Sequence, residues 1–132
     1  MTRAVGLLAL LVALVIGAAL WLTSVRHSIQ PVAAKPDPAF CSHVAEVNAT
    51  MASIRDGGSG PAVASQLATE QQELAADATR LATTDRAANA ASAAALATEV
   101  EQIREAVVLR DPATARGLLG NAAPTLRSVR GC

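Results

Sequence analysis

An unbroken apolar run covers residues 4–22, without a charge or a proline. At about 1.5 Å of helical rise per residue, a helix of this length nearly spans the hydrocarbon core of a bilayer. Arg3 supplies a short basic segment before it, and Trp21 stands near its far end, where indole side chains favour the interface. The pattern predicts a transmembrane signal-anchor over residues 1–22, which attaches the chain to the membrane through residues 4–22.

A cleaved signal peptide is the alternative, because small residues stand at positions 17–19 and 32–34. The apolar run continues past the first of these positions, and the second lies far beyond the run. The sequence therefore favours a retained anchor. Residues 23–37 contain Pro31 and Pro36 and no apolar periodicity, which predicts an extended tether.

Apolar residues at alternating spacings of three and four predict helices within residues 38–132. Asp37 and Pro38 form a start signal, an N-cap residue followed by proline at the first helical position. The first helix is predicted to run to about Arg55, and the glycine-rich segment 57–60 ends it. The apolar stripe of this helix consists of Phe40, Val44, Val47, Met51 and Ile54.

A second helix is predicted from about Pro61 to Thr83, and a third from about Arg86 to Arg110. Their stripes consist of Val63, Leu67, Leu74, Ala78 and Leu81, and of Leu96, Val100, Ile103 and Val107. The polar segment 83–85 favours a break between the two helices. Apolar residues also recur at every seventh position from Leu67 to Ala95, so one long helix of coiled-coil type is the competing interpretation.

Asp111 and Pro112 repeat the start signal for a last helical segment, whose apolar residues are Leu118, Leu119, Leu126 and Val129. Glycines and a proline follow, and both residue types weaken a helix interior. We therefore expect a break at Gly120, with helix resuming after Asn121 toward Arg130. Short loops between these segments predict an all-α fold, a small antiparallel bundle of three to four helices.

The chain has two cysteines, Cys41 in the first turn of the first helix and Cys132 as the last residue. An even number of helical passes returns residue 132 to the end of the bundle at which the first helix begins. The sequence therefore predicts a Cys41–Cys132 disulfide, which requires an oxidising, extracytoplasmic compartment. The alternative is two free thiols in a cytoplasmic domain. Basic residues flank both ends of the apolar run, so the positive-inside rule gives no clear orientation.

Composition narrows the possible partners. All 11 acidic residues lie at or after Asp37, against eight of the 11 basic residues, so the helical part is mildly acidic. Nucleic-acid binding normally needs a basic surface, and we expect no nucleic-acid partner. Arginine outnumbers lysine ten to one, which is typical of GC-rich bacterial genomes, and we expect a place in the bacterial cell envelope.

The sequence contains no recognisable catalytic or cofactor-binding motif. Glu70, Glu73 and Asp77 form a row at spacings of three and four, which we interpret as a solvated helix face. The only histidines are His27 and His43, too few for a di-iron or zinc site, and His43 is interpreted as an exposed first-turn residue. We therefore expect no enzyme, no metal and no cofactor.

The sequence favours a non-enzymatic, membrane-anchored module that binds a protein partner in the envelope. The alternative is a carrier or sensor that holds a small apolar ligand, lipid-like or haem-like, in a cavity between its helices. An exposed apolar surface favours the first function, and an apolar cavity inside the bundle favours the second.

Overall fold

The computed structural model describes residues 37–84 and 86–132. This part contains four helices and no strand: α1 (Pro38–Arg55), α2 (Pro61–Ala82), α3 (Ala87–Val108) and α4 (Pro112–Ser128). Each helix packs on the next along the chain, and α4 also packs on α1, which closes the bundle. The predicted all-α bundle is confirmed. No helix within the described ranges is long and apolar enough to span a bilayer, and the predicted anchor over residues 1–22 lies outside those ranges.

Both Asp-Pro signals begin helices as predicted. The Asp37 carboxylate accepts a hydrogen bond from the Phe40 amide, 3.0 Å away, and the Asp111 carboxylate accepts one from the Thr114 amide, also at 3.0 Å. Each bond satisfies one of the backbone N–H groups that a helix start leaves without an intrahelical acceptor. Prolines at the first helical position lose nothing there, because their missing N–H has no partner in that turn.

The predicted break between α2 and α3 is confirmed, and the competing interpretation of one long helix is wrong. The hydroxyls of Thr83 and Thr84 donate hydrogen bonds to the carbonyls of Arg80 and Leu81 in the last turn of α2, each 2.8 Å long. The Arg86 amide in turn donates to the Thr84 hydroxyl at 3.2 Å. Side chains therefore satisfy the last carbonyls of α2, which ends the helix.

The predicted break at Gly120 is also wrong, because α4 continues through Gly120 and Pro124 to Ser128. Three small or apolar side chains, Ala115, Leu119 and Ala122, recur at spacings of four and three and are buried. The burial of this continuous face outweighs the low helix propensity of glycine and proline, an instance of tertiary packing overriding local preference.

Two kinds of helix contact fill the core. Helices α2 and α3 make the most extensive close approach, and α3 carries buried alanines at 90, 93 and 97, whose small side chains allow it. Helix α1 approaches its neighbours least closely and contributes bulk instead, with Phe40, Val47 and Met51 fully buried. The predicted stripes of α1 and α3 therefore face the core.

The Cys41–Cys132 disulfide is present, with the two Cα atoms 5.4 Å apart. It lies at the tether end of the bundle, by which we mean the end where Asp37 begins α1. Asn89, which is buried on α3, holds the chain after α4 at this end. Its side-chain amide donates to the Arg130 carbonyl at 2.7 Å and accepts from the Arg130 amide at 2.9 Å.

Replacing both cysteines with serine is expected to lower the melting temperature by at least several degrees. A disulfide closing a loop of this length stabilises a domain by about 4 kcal/mol in the chain-entropy model. Small domains shift by about 4–8 °C per kcal/mol. Circular dichroism melts of the double variant measure the effect, and the wild type and the double variant compared in the presence of a reducing agent are the control for serine itself. A double variant that melts with the wild type contradicts the prediction.

Candidate functional site

An arginine–carboxylate network occupies the tether end. Arg80 of α2 donates to both carboxylate oxygens of Asp37, at 2.6 and 3.1 Å, and to Asp77 at 2.7 Å. Arg86, just before α3, donates to Asp37 at 2.9 Å. The hydrogen bonds from Arg80 and from the Phe40 amide hold the pKa of the Asp37 carboxyl well below its usual range. Asp37 therefore caps α1 and ties its start to α2, through Arg80, and to the start of α3, through Arg86.

His43 is not the exposed first-turn residue that the sequence predicted. Its Nδ1 lies 2.6 Å from Asp77 Oδ2, with 26 % of the His43 side chain exposed and 5 % of the Asp77 side chain. The hydrogen bond to Asp77 raises the pKa of the His43 imidazole. Arg80 also binds this carboxylate, so the pair holds α1 on α2.

The row of Glu70, Glu73 and Asp77 is not a solvated face either. Glu70 is 2 % exposed, Asp77 is similarly buried, and Glu73 is half-buried at the seam between α1 and α2. Glu70 Oε1 accepts hydrogen bonds from Thr50 and Gln66, whereas its Oε2 has no partner among the described residues. Burial raises the pKa of the Glu70 carboxyl.

At the distal end, opposite the tether end, α1 and α3 terminate in the same backbone motif. The amides of Gly57 and Gly58 donate to the Ile54 and Ser53 carbonyls, and the amides of Arg110 and Asp111 donate to the Val107 and Ala106 carbonyls in the same pattern. This Schellman motif requires a left-handed residue just past the helix, normally glycine.

The two termini differ in the residue that turns left-handed. Gly57 has a φ of 98° and Arg110 a φ of 56°, the only positive φ at a non-glycine position in the described part. A side chain in this conformation costs about 1–2 kcal/mol relative to the right-handed region, whereas glycine has no such cost. Arg110 therefore occupies a position where glycine would fold more easily.

The loops after α1 and α3 border an open cleft of about 450 Å³, which we call the distal cleft. Apolar side chains from α1, α3 and α4 form its wall, and glycines and arginines form its rim. The residues that line it are Ile54, Gly57, Gly58, Ser59, Gly60, Ala106, Val107, Arg110, Asp111, Pro112, Ala115 and Arg116.

Large apolar side chains are exposed beside the distal cleft. Val108 is 55 % exposed and Leu109 is 78 % exposed, in contrast to the buried leucines of the core. They lie at the end of α3, between Val107 and Arg110, which both line the cleft. This end of the bundle therefore presents apolar surface to solvent next to a concave site.

The arginines of the distal cleft lack the carboxylate partners that Arg80, Arg86 and Arg104 have. Neither Arg110 nor Arg116 makes an ion pair with a described residue. The acidic group in the lining, Asp111, accepts hydrogen bonds from the Thr114 amide and hydroxyl, the latter at 2.7 Å. The cleft thus offers two guanidinium groups to an incoming molecule.

A second open cleft, of similar volume, lies on the outside of α2 and α3. Its apolar floor consists of Ala75, Ala78, Ala94 and Ala97. Within residues 37–84 and 86–132, no three or more His, Cys, Asp or Glu side chains are grouped to hold a metal ion.

Sequence reasoning identified Cys41 and Cys132, which the structure brings together, but it missed the distal cleft. A signal was available at the α3–α4 connection. The three residues between Val108 and Pro112 contain no glycine, although helices commonly end on a left-handed residue that glycine adopts most easily. Comparison with known proteins adds nothing to this geometry, since no family model, curated protein or solved structure matches the chain.

Glu70→Gln is expected to stabilise the chain at neutral pH, by on the order of 1 kcal/mol, and to have little effect at about pH 4. The folded state raises this pKa above the ordinary 4.5. Folding therefore favours the protonated acid. The free energy of unfolding decreases as the pH rises from the pKa of Glu70 in the unfolded state through its higher pKa in the folded state. Chemical denaturation at both pH values measures the effect, with exposed Glu105→Gln as the control. Equal shifts at both pH values contradict the prediction.

The His43 imidazole is expected to titrate above the ordinary value of 6.5. The stability it contributes is complete below the unfolded pKa and is lost as the pH rises through the raised folded one. An NMR titration of a His27→Gln chain leaves one imidazole to follow, and Asp77→Asn is expected to bring its pKa down. A pKa at or below 6.5 in the parent chain is the contrary result.

Proposed function

We propose that this protein is a non-enzymatic, membrane-anchored extracytoplasmic helical module that binds a protein partner in the bacterial cell envelope through its distal cleft. The observation that carries the proposal is the exposure of Val108 and Leu109 beside that cleft. Exposed large apolar groups grouped at a concave site are typical of interaction surfaces, because leaving them in water costs free energy that binding recovers.

The arrangement of the two ends supports this assignment. The proposed anchor and tether precede Asp37, so the chain enters the bundle at the tether end. The distal cleft lies at the other end, where α1 and α3 terminate. A module attached at one end and open at the other presents its binding surface away from the attachment point.

The disulfide supports the extracytoplasmic part of the proposal, because such bonds persist in oxidising compartments. The alternative, a carrier of a small apolar ligand, needs an enclosed site between the helices. Neither of the two clefts described above is enclosed, and α2 and α3 are close-packed. We therefore place partner binding first.

The experiment is site-specific photo-cross-linking in cells that make the full chain. A photoreactive amino acid at position 109 is expected to join the protein to one discrete envelope protein. The same amino acid at position 72, an exposed glutamine on α2, is the matched control and is expected to give no adduct. Val108→Asp in the position-109 chain is expected to abolish the adduct, since a charge opposes apolar burial.

Two results contradict the proposal: equal adducts from positions 109 and 72, or no adduct at 109 in a chain that is folded and membrane-bound. Recovery of a purified chain with a stoichiometric lipid or haem, displaced by no protein, supports the carrier instead.

A further inference from the structure

We propose that the distal cleft recognises a protein segment carrying carboxylates next to a large apolar side chain, and that Arg110 is the residue that selects for the acidic groups. This inference rests on the proposed function and names the chemistry of its partner. It follows from the charge at the cleft, the exposed apolar groups beside it and the conformation of Arg110.

Side chains determine the charge of this end of the bundle. Two helix N-termini and two helix C-termini meet there, so the partial charges of the four helix dipoles largely offset one another. The cleft lining then carries two guanidinium groups, Arg110 and Arg116, against the single carboxylate of Asp111, and neither arginine forms an ion pair with a described carboxylate. Guanidinium binds carboxylate through two parallel hydrogen bonds, which gives both direction and strength.

The left-handed position of Arg110 allows an effect of its side chain on binding to be distinguished from an effect on folding. The equivalent turn after α1 uses Gly57, which adopts the left-handed conformation without a side-chain cost. The turn after α3 places Arg110 there instead, at the rim of the cleft. The fold alone does not need this side chain, and a role in recognition explains why a strained position carries a long cationic one.

The shape of the site favours a protein segment over a lipid surface. A cleft of about 450 Å³ has room for an inserted side chain, with Ile54 and Val107 in its wall. A flat anionic membrane would meet the arginines but would leave the cleft unfilled. In a peptide with one apolar residue between acidic ones, the apolar side chain can pack on the cleft wall and Leu109 while the carboxylates bind the two guanidinium groups.

The test is selection of a random peptide library, displayed on phage, against the full chain in nanodiscs of neutral lipid. Enriched peptides are expected to contain Asp or Glu within a few residues of Leu, Phe, Met or Ile. Arg110→Gly is expected to bind the synthesised peptides about tenfold to a hundredfold more weakly, with a melting temperature at or above that of the wild type.

Two further variants make the loss specific. Arg110→Lys keeps the charge in the same strained turn and is expected to keep most of the affinity. Arg55→Gln removes an exposed arginine that does not line the cleft, and is expected to leave the affinity unchanged. Raising the salt concentration is expected to weaken binding to the wild type more than to Arg110→Gly.

Several outcomes overturn the inference: peptides without acidic enrichment, equal binding by Arg110→Gly, or no enrichment at all. Arg110-dependent binding to phosphatidylglycerol vesicles without peptide binding also overturns it, in favour of a membrane surface. Cross-linking at position 109 reports separately on the proposed function, so a partner adduct that persists in Arg110→Gly refutes this inference and leaves that function standing.

Discussion

The close packing of α2 against α3 is the contact on which the rest of the bundle depends. Alanines at 90, 93 and 97 are buried on α3, and small side chains of this kind allow two helices to approach closely. Close approach of this kind gives dispersion contacts but buries little area per residue. The chain, which has one phenylalanine and no tyrosine, therefore needs cohesion from elsewhere. The disulfide and the network around Asp37 supply it for α1, the helix that approaches its neighbours least closely.

The sequence predicted the helices well because their signals are local. Asp-Pro starts, a glycine-rich stop and apolar stripes each depend on a few neighbouring residues, and the four helices followed them. The prediction failed at Gly120, where the burial of Leu119 and of the neighbouring small side chains of α4 outweighs the low helix propensity of glycine. That burial depends on contacts distant in sequence, which periodicity alone does not weigh against a glycine.

The buried carboxylates show a different failure. Glu70 and Asp77 lie in register with Leu67, Leu74 and Leu81 at spacings of three and four, which places them on the core-facing stripe. Their charge suggested a solvated face, but position on the helix decided their burial. Their partners, Thr50 and His43, lie on α1 and emerge only when the helices are packed. The distal cleft was harder to foresee, since two loops that are distant in sequence build it.

The disulfide also determines how the bundle would carry a mechanical load. Cys41 and Cys132 close residues 41–132 into a covalent ring, which the preceding chain joins at Cys41. A pull between Asp37 and a molecule held at Arg110 would divide between two branches of the ring, one through α1, α2 and α3 and the other through α4. Neither branch could extend without the other. The disulfide therefore makes the two covalent branches of the bundle share an applied force.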